Sequence, residues 1–101
     1  MRRKPKIQDL LEEVRSCVES GRYFDTRHAT HRQSERSIIR TEIMYVLKYG
    51  RHEKSKDVYQ ERYQAWNYAV RGKTIDKRDI RVIISFDAEG MLIITAIEIG
   101  A

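Results

Sequence analysis

The sequence predicts an α+β fold in which helices come first and an antiparallel sheet follows. In the first half of the 101-residue chain, apolar residues recur at the three- and four-residue spacing of helices. In the last third they alternate with polar residues or run continuously, as they do in strands. Gly21 and Gly50 follow the two clearest helical stretches and suit helix C-termini. Helices followed by hairpin-connected strands are typical of a sheet packed on helices.

The first predicted helix covers residues 6–20. Cys17 lies on its apolar face, so we expect a buried and unreactive thiol. As the one cysteine of the chain, Cys17 cannot form an internal disulfide, which is typical of a reducing compartment. The apolar face follows the i, i+3, i+4, i+7 spacing and consists of Ile7, Leu10, Leu11, Val14, Cys17 and Val18.

A short strand at residues 22–25 and a second helix at residues 27–36 are predicted next. His28, Arg32 and Arg36 are spaced four residues apart, so in a helix they share one face. The second helix therefore collects one histidine and two guanidinium groups on the same side.

A third helix is predicted at residues 41–49, where three apolar residues form a stripe. Residues 51–62 are polar and charged and follow neither a helical nor a strand period. This segment predicts a loop or a weak strand, in which we expect His52 to be exposed to solvent.

The last third of the chain predicts three strands in an antiparallel meander. Residues 63–71 have strand composition, and residues 80–86 alternate so that Arg81 lies opposite their apolar face. Residues 87–90 have the composition of a tight hairpin turn and lead into a strongly apolar strand at residues 91–99. With the short strand after the first helix, the sheet is expected to have about four strands, packed against the N-terminal helices.

Length and composition predict a single domain spanning residues 1–101, with residues 1–5 as a basic arm. A chain near 100 residues buries about two-thirds of its unfolded surface, so one modest core is feasible. No apolar run approaches the roughly 20 residues that cross a bilayer, and the basic start lacks the apolar region of a signal peptide. We therefore expect a soluble cytoplasmic protein that does not enter a membrane.

Positive charge is concentrated in one part of the chain. The formal net charge is +5, but residues 87–101 carry three acids and no Lys or Arg, so the first 86 residues carry +8. The densest cluster, residues 27–40, holds four arginines, one glutamate and two of the three histidines. Such a cluster either binds a polyanion such as nucleic acid or forms a solvated helix face.

Five short motifs follow one another along the chain: His28-Ala29-x-x-Arg32-x-x-Glu35-Arg36-x-Ile38, Glu42-Ile43-x-x-Val46-Leu47-x-x-Gly50, Trp66-x-Tyr68, Arg81-Val82 and Gly90-x-Leu92-Ile93-Ile94-Thr95-Ala96. Together and in this order they resemble the domain-of-unknown-function family 4258, over roughly residues 22–98. That family is similar to the barnase–EndoU–colicin–RelE (BECR) ribonuclease superfamily, which includes the RelE-type toxins. The resemblance implies helices against a curved antiparallel sheet and cleavage of RNA without a metal. It further implies the toxin of a type II toxin–antitoxin pair, whose partner is a small acidic antitoxin-like protein.

Metal-free RNA cleavage sets requirements that some of these residues meet. A base takes the proton of the 2′-hydroxyl as it attacks the adjacent phosphate, an acid protonates the leaving 5′-oxygen, and cations hold the phosphoryl oxygens. His28 matches the family motif and is the expected general acid/base, while Arg32 and Arg36 would clamp the phosphate. His28 and His31 lack a third ligand, so we expect no metal and no other cofactor.

Residues of the predicted sheet extend this candidate site. Arg81 and Arg71 would continue a phosphate track if their face of the sheet is concave. Thr95, in the segment that matches the family, would hydrogen-bond the substrate or a neighbouring backbone group. Trp66 and Tyr68 would either stack on bases or belong to the core.

The same residues allow other interpretations. His28 can instead cap or pack the start of its helix, and Arg32 and Arg36 can form ion pairs with neighbouring acids. A non-catalytic nucleic-acid-binding module would use the arginines and need no histidine. A protein-interaction module would offer the same basic surface to an acidic partner.

Overall fold

The computed structural model describes residues 3–27 and 38–100. In them the chain forms two α-helices, six strands and one 3₁₀ turn, an α+β arrangement that confirms the predicted fold class. The sheet thus has six strands where about four were expected. No helix in this part of the chain is both long and apolar enough to cross a membrane. In chain order the elements are α1 (Leu10–Ser20), β1 (Tyr23–Asp25), α2 (Arg40–Tyr49), β2 (Arg51–His52), the 3₁₀ turn (Lys54–Lys56), β3 (Val58–Gln60), β4 (Ala65–Lys73), β5 (Asp79–Asp87) and β6 (Gly90–Glu98).

The strands follow one another across the sheet in the order β1, β6, β5, β4, β2, and β3 also pairs with β4. The pairs among β2 to β6 are antiparallel, as predicted. At one edge, however, β1 pairs with β6 in parallel, with Phe24 beside Leu92. This pair departs from the antiparallel sheet that was expected. A three-residue strand carries too little pattern to reveal its partner, and most of the chain separates the two strands.

The core lies between the two helices and one face of the sheet. Cys17 is fully buried, as predicted, and burial raises the pKa of its thiol. The sheet contributes the fully buried side chains of Val70, Ile80, Val82, Ile84, Met91, Ile93 and Ala96. The helices contribute Leu10, Val14, Cys17, Ile43, Val46 and Leu47.

A bulge in β6 resets which of its side chains face the helices. Ile84 pairs with Ile93 and Ile83 pairs with Thr95, so Ile94 has no partner on β5. The extra residue reverses the alternation of β6 at this point. As a consequence, Thr95 lies on the face of the sheet that points away from the helices.

The first helix starts later than the sequence predicts. It begins at Leu10, and Asp9 caps it by accepting a hydrogen bond from the backbone N–H of Glu12. The predicted start at residue 6 is wrong, because the N–H of Ile7 donates instead to the hydroxyl of Tyr68 at 3.0 Å. The residues before the helix are therefore held against the sheet.

The second described helix, α2, closely matches the one predicted at residues 41–49, whereas the helix predicted at residues 27–36 falls almost wholly outside the described residues. Gly50 ends α2 because the backbones come close there. A Cβ atom at Gly50 would lie 2.6 Å from the carbonyl oxygen of Val46 and 2.7 Å from that of Arg71. A glycine at this position therefore lets the end of α2 reach β4.

Candidate functional site

Alternate residues of the strands point away from α1 and α2, and we call the surface they form the open face. The pairing register defines its membership, because partner residues in a sheet lie on the same side. The residues of the open face that matter below are Phe24, Arg51, Arg71, Lys73, Asp79, Arg81, Ile83, Leu92, Thr95 and Ile97.

Three arginines lie side by side across the open face. Arg51 on β2 pairs with Arg71 on β4, and Arg71 pairs with Arg81 on β5. We call these three residues the arginine row. Like charges directly opposite one another destabilise a sheet unless counter-charges accompany them. The row therefore depends on neighbouring carboxylates or on an anionic ligand.

Glu53 is the carboxylate that binds two arginines of the row. It accepts hydrogen bonds from Nε of Arg81 at 2.7 Å and from Nη1 of Arg71 at 2.9 Å. The hydrogen bonds from Arg81, with those from Arg71, outweigh burial and lower the pKa of Glu53 from its ordinary 4.5 to about 2. Glu53 is therefore ionised throughout the physiological pH range.

Asp79 is the second carboxylate of this cluster. Both of its oxygens accept hydrogen bonds from Arg71, at 3.1 and 2.7 Å, and these bonds lower the pKa of Asp79. Lys73, its partner in the sheet, is exposed and adds a fourth cation. Four cations face two carboxylates, so the cluster keeps a positive charge that an anion can use.

The four cations differ in how accessible they are. Arg51 and Lys73 are exposed, whereas the side chains of Arg71 and Arg81 are mostly enclosed by their acidic partners. An approaching phosphate therefore meets Arg51 and Lys73 first. It reaches Arg71 and Arg81 only by sharing them with Glu53 or displacing it.

Thr95 lies between the arginine row and the end of β1. The carbonyl oxygen of Ile93 accepts two hydrogen bonds from Thr26, one from its N–H at 3.0 Å and one from its Oγ1 at 2.7 Å. Four residues further along β6, Ile97 is the partner of Arg81. Thr95 stands midway and is half-buried. At about 3.3 Å per residue, the end of β1 lies roughly 13 Å from the level of the arginine row.

Arg27 holds together the two ends of the chain on either side of residues 28–37. It donates from Nε and Nη2 to the carboxylate of Asp25 at 3.0 and 2.9 Å, and from Nη1 to the carbonyl oxygen of Ile38 at 2.9 Å. Burial would raise the pKa of Asp25, but the hydrogen bonds from Arg27 outweigh it and lower that pKa. One side chain thus joins Asp25 to Ile38.

The predicted catalytic residues belong to the segment between these two ends. His28, Arg32 and Arg36 lie outside the described residues. The structure does describe the residues that flank this segment: Thr26 is hydrogen-bonded to β6, and Arg27 is hydrogen-bonded to Ile38, just before α2.

His52 is not exposed, contrary to expectation. It lies in β2, its side chain is 9% exposed, and its Nε2 is 2.7 Å from a carboxylate oxygen of Asp57. The Asp57 side chain is fully buried and also accepts hydrogen bonds from the N–H of Ala69 and from Nζ of Lys6. In the described part of the chain no group of three or more His, Cys, Asp or Glu side chains could hold a metal ion.

Trp66 and Tyr68 lie on the helix-covered side of the sheet rather than on the open face. Tyr68 is buried, which confirms the core interpretation for this residue. Trp66 packs against the core, and its Nε1 donates to the carbonyl oxygen of Lys4 at 2.7 Å. The ammonium group of Lys6 lies 4.8 Å from the centre of the Trp66 ring, in a cation–π contact. Lys4, Lys6 and Ile7 thus contact these two aromatic side chains.

Comparison with known proteins gives one finding. The model of a protein family described as Domain of unknown function (DUF4258) matches residues 26–98. This stretch contains the arginine row and the predicted catalytic residues, and it excludes α1 and Phe24. No curated protein and no solved structure gives a significant match to the chain.

Proposed function

Because the chain belongs to the DUF4258 family, and because that family resembles the BECR superfamily, we propose that it is a metal-independent RNA endonuclease. The observation that carries the proposal is the arginine row, three guanidinium groups in register on a sheet face that the described helices leave open. Guanidinium groups bind phosphate oxygens in pairs, and a row of them follows a chain of phosphates.

The spacing within the sheet supports a single substrate path. The end of β1, where the segment of His28 begins, lies about 13 Å from the level of the arginine row, and Thr95 lies between them. One short stretch of RNA can therefore reach both regions. Arg71 and Arg81 hold its phosphates, and Thr95 hydrogen-bonds it along the way.

The proposed reaction is an internal phosphoryl transfer. The 2′-oxygen attacks the adjacent phosphorus as its proton passes to a base. The bond to the 5′-oxygen then breaks, and an acid protonates the leaving oxygen, which yields a 2′,3′-cyclic phosphate and a 5′-hydroxyl. His28 acts as general acid/base, and Arg32 and Arg36 stabilise the charge that develops on the phosphoryl oxygens.

The proposal includes a biological setting. Resemblance to the RelE-type toxins supports a type II toxin–antitoxin pair, in which a small acidic antitoxin-like protein neutralises the enzyme. The charge of +8 on the first 86 residues suits both an acidic partner and RNA. Growth arrest on expression of the chain, relieved by co-expression of a small acidic protein from the adjacent reading frame, is the expected result.

The decisive test is cleavage of cellular RNA by the full chain in the presence of a chelator. We expect the wild type to cut RNA and His28→Ala to do so at least about 100-fold more slowly, because general acid–base catalysis contributes 10² to 10⁴. His31→Ala is the matched control, since His31 does not share the four-residue spacing of His28, Arg32 and Arg36, and should cut at nearly the wild-type rate. Circular dichroism checks that both variants fold.

Two results would contradict the proposal. The first is a wild type that cuts no RNA, and the second is a His28→Ala variant that cuts as fast as the wild type. If the wild type binds RNA tightly without cutting it, the chain is instead a non-catalytic nucleic-acid-binding module. The arginine row supports that alternative equally well, because binding needs no histidine.

A further inference from the structure

Phe24 is a large aromatic residue whose side chain is exposed to solvent. It is 48% exposed, although the residues on either side of it, Tyr23 and Asp25, point to the helix side. Its register partner Leu92 lies beside it on the open face and is half-buried. The alternation of β1 thus fixes Phe24 outward, next to a second apolar side chain.

The charged residues on the same face as Phe24 indicate which class of ligand can bind against it. The same face carries the arginine row and Lys73, with Glu53 and Asp79 as the carboxylates that partner them. An acidic ligand with flat apolar parts fits a face that is cationic at one end and aromatic at the other. Nucleic acid has this composition, because phosphates alternate with bases whose ring faces stack on aromatic side chains.

The distance from Phe24 to the arginine row matches the length of a short oligonucleotide. Phe24 pairs with Leu92, and Arg81 pairs with Ile97, five residues further along β6. Five residues correspond to about 17 Å along the strand, and two strand spacings add about 10 Å across it. The direct separation is therefore roughly 20 Å, which a few nucleotides span.

We propose that Phe24 stacks on an unpaired base of a single-stranded RNA whose phosphates run toward the arginine row. This inference rests on the proposed function, because it assigns the form of RNA that the enzyme takes. In a duplex, base faces are stacked on their neighbours and are not available to a side chain. Phe24 therefore makes the open face selective for single strands.

The test measures binding of a fluorescent oligouridylate of about eight nucleotides to the full chain. Its 2′-oxygens are methylated, so they cannot attack the phosphate and the probe stays intact. We expect Phe24→Leu, which keeps the apolar character but loses the ring, to bind about tenfold more weakly. Phe24→Trp should bind at least as tightly as the wild type. Tyr49→Leu, which removes an aromatic side chain that is 71% exposed on α2, is the matched control and should leave binding unchanged.

Competition experiments separate this inference from its rivals. An unlabelled single strand should displace the probe at lower concentration than a duplex of equal length. The inference is overturned if Phe24→Leu binds like the wild type, if the duplex competes equally well, or if polyglutamate displaces the probe as readily as RNA does. In those cases the proposed function still stands when the wild type cuts RNA. A wild type that neither binds the probe nor cuts RNA overturns both.

Discussion

The buried carboxylate of Asp57 connects residues from three separate parts of the chain. Its side chain is fully buried and it accepts hydrogen bonds from the N–H of Ala69 at 3.0 Å and from Nζ of Lys6 at 2.8 Å, with Nε2 of His52 at 2.7 Å. These partners come from three separate parts of the chain. A buried charge that loses or gains a partner changes stability far more than a solvated one.

At this scale we predict that Asp57→Ala lowers the free energy of unfolding by about 1–3 kcal/mol, because the buried N–H of Ala69 loses its acceptor, whereas Lys6, whose side chain is 36% exposed, is solvated. The matched control is Glu61→Ala, which removes another acid that binds the N-terminal residues. Glu61 pairs with Arg3, and both side chains are well exposed. Urea unfolding should show a large shift for Asp57→Ala and almost none for Glu61→Ala. Equal shifts would mean that burial does not decide the contribution of these two acids.

The parallel pair of β1 and β6 depends on a close approach at Gly90. This glycine has a φ of 146°, and a Cβ atom there would lie 2.3 Å from the carbonyl oxygen of Arg22. That same oxygen accepts a hydrogen bond from the N–H of Met91 at 3.0 Å. Any side chain at Gly90 therefore forces apart the backbones that this first bond of the pair holds together.

At the scale of elements, Gly90→Ala should destabilise the protein by at least about 2 kcal/mol, since it combines backbone strain with a contact to main-chain atoms. Gly21→Ala is the control. Gly21 also has a positive φ, of 73°, but nothing lies within 4 Å of the Cβ that it would gain. The difference between the two variants in thermal unfolding isolates the close approach. A Gly21→Ala variant as unstable as Gly90→Ala would show that φ alone matters.

Elements with a long local pattern were predictable, and those made by distant pairing were not. The apolar stripe of α2 and the alternation of β5 lie within single stretches of about ten residues, so the sequence alone reveals them. β2 has two residues, and only its pairing with β4 defines it as a strand. For that reason the burial of His52 was missed, as was Glu53, which follows Arg51 at the two-residue spacing of a strand face.

In the candidate site, too, residue types were predictable from the sequence, whereas their arrangement depends on the pairing of distant strands. Arg81 is predictable as a phosphate ligand from its place opposite the apolar face of its strand, and Arg71 from its charge in the neighbouring strand, but their side-by-side position requires the register of β4 with β5. Phe24 gave no signal, because a lone aromatic residue in a short strand is more often a core residue. Its exposure follows from the parallel pair with β6, which no local pattern indicates.

In the part of the chain that the structure describes, three acidic side chains are held ionised by hydrogen bonds from arginines. Glu53 has a pKa of about 2, and Asp25 and Asp79 have lowered pKa values. In each case the folded carboxyl binds its proton less tightly than the unfolded one. In acid the unfolded chain therefore takes up more protons, so stability rises with pH across this range.

We predict that the contribution of Glu53 to stability is complete above about pH 5 and is lost as the pH falls from its unfolded pKa near 4.5 toward about 2. The urea midpoint should therefore decrease between pH 5 and pH 2.5. Glu53→Gln, which cannot titrate, should be less stable at pH 7 and show a smaller decrease. If both proteins lose stability equally over this range, the titration of Glu53 does not contribute, and general charge repulsion explains the loss.

The pairing of β1 with β6 also constrains the order of events during synthesis. β1 is made well before β6, yet among the described strands it pairs only with β6, whose residues 91–93 are separated from it by more than half of the chain. Contacts between such distant residues form slowly, because a long loop must close before they are made. Until the ribosome has added β6, β1 lacks its partner strand, and Thr26 lacks the carbonyl oxygen of Ile93 to which it donates two hydrogen bonds. The aromatic end of the open face, Phe24 beside Leu92, is therefore joined to the arginine row only once β6 is complete, because β6 is the strand that lies between β1 and β5.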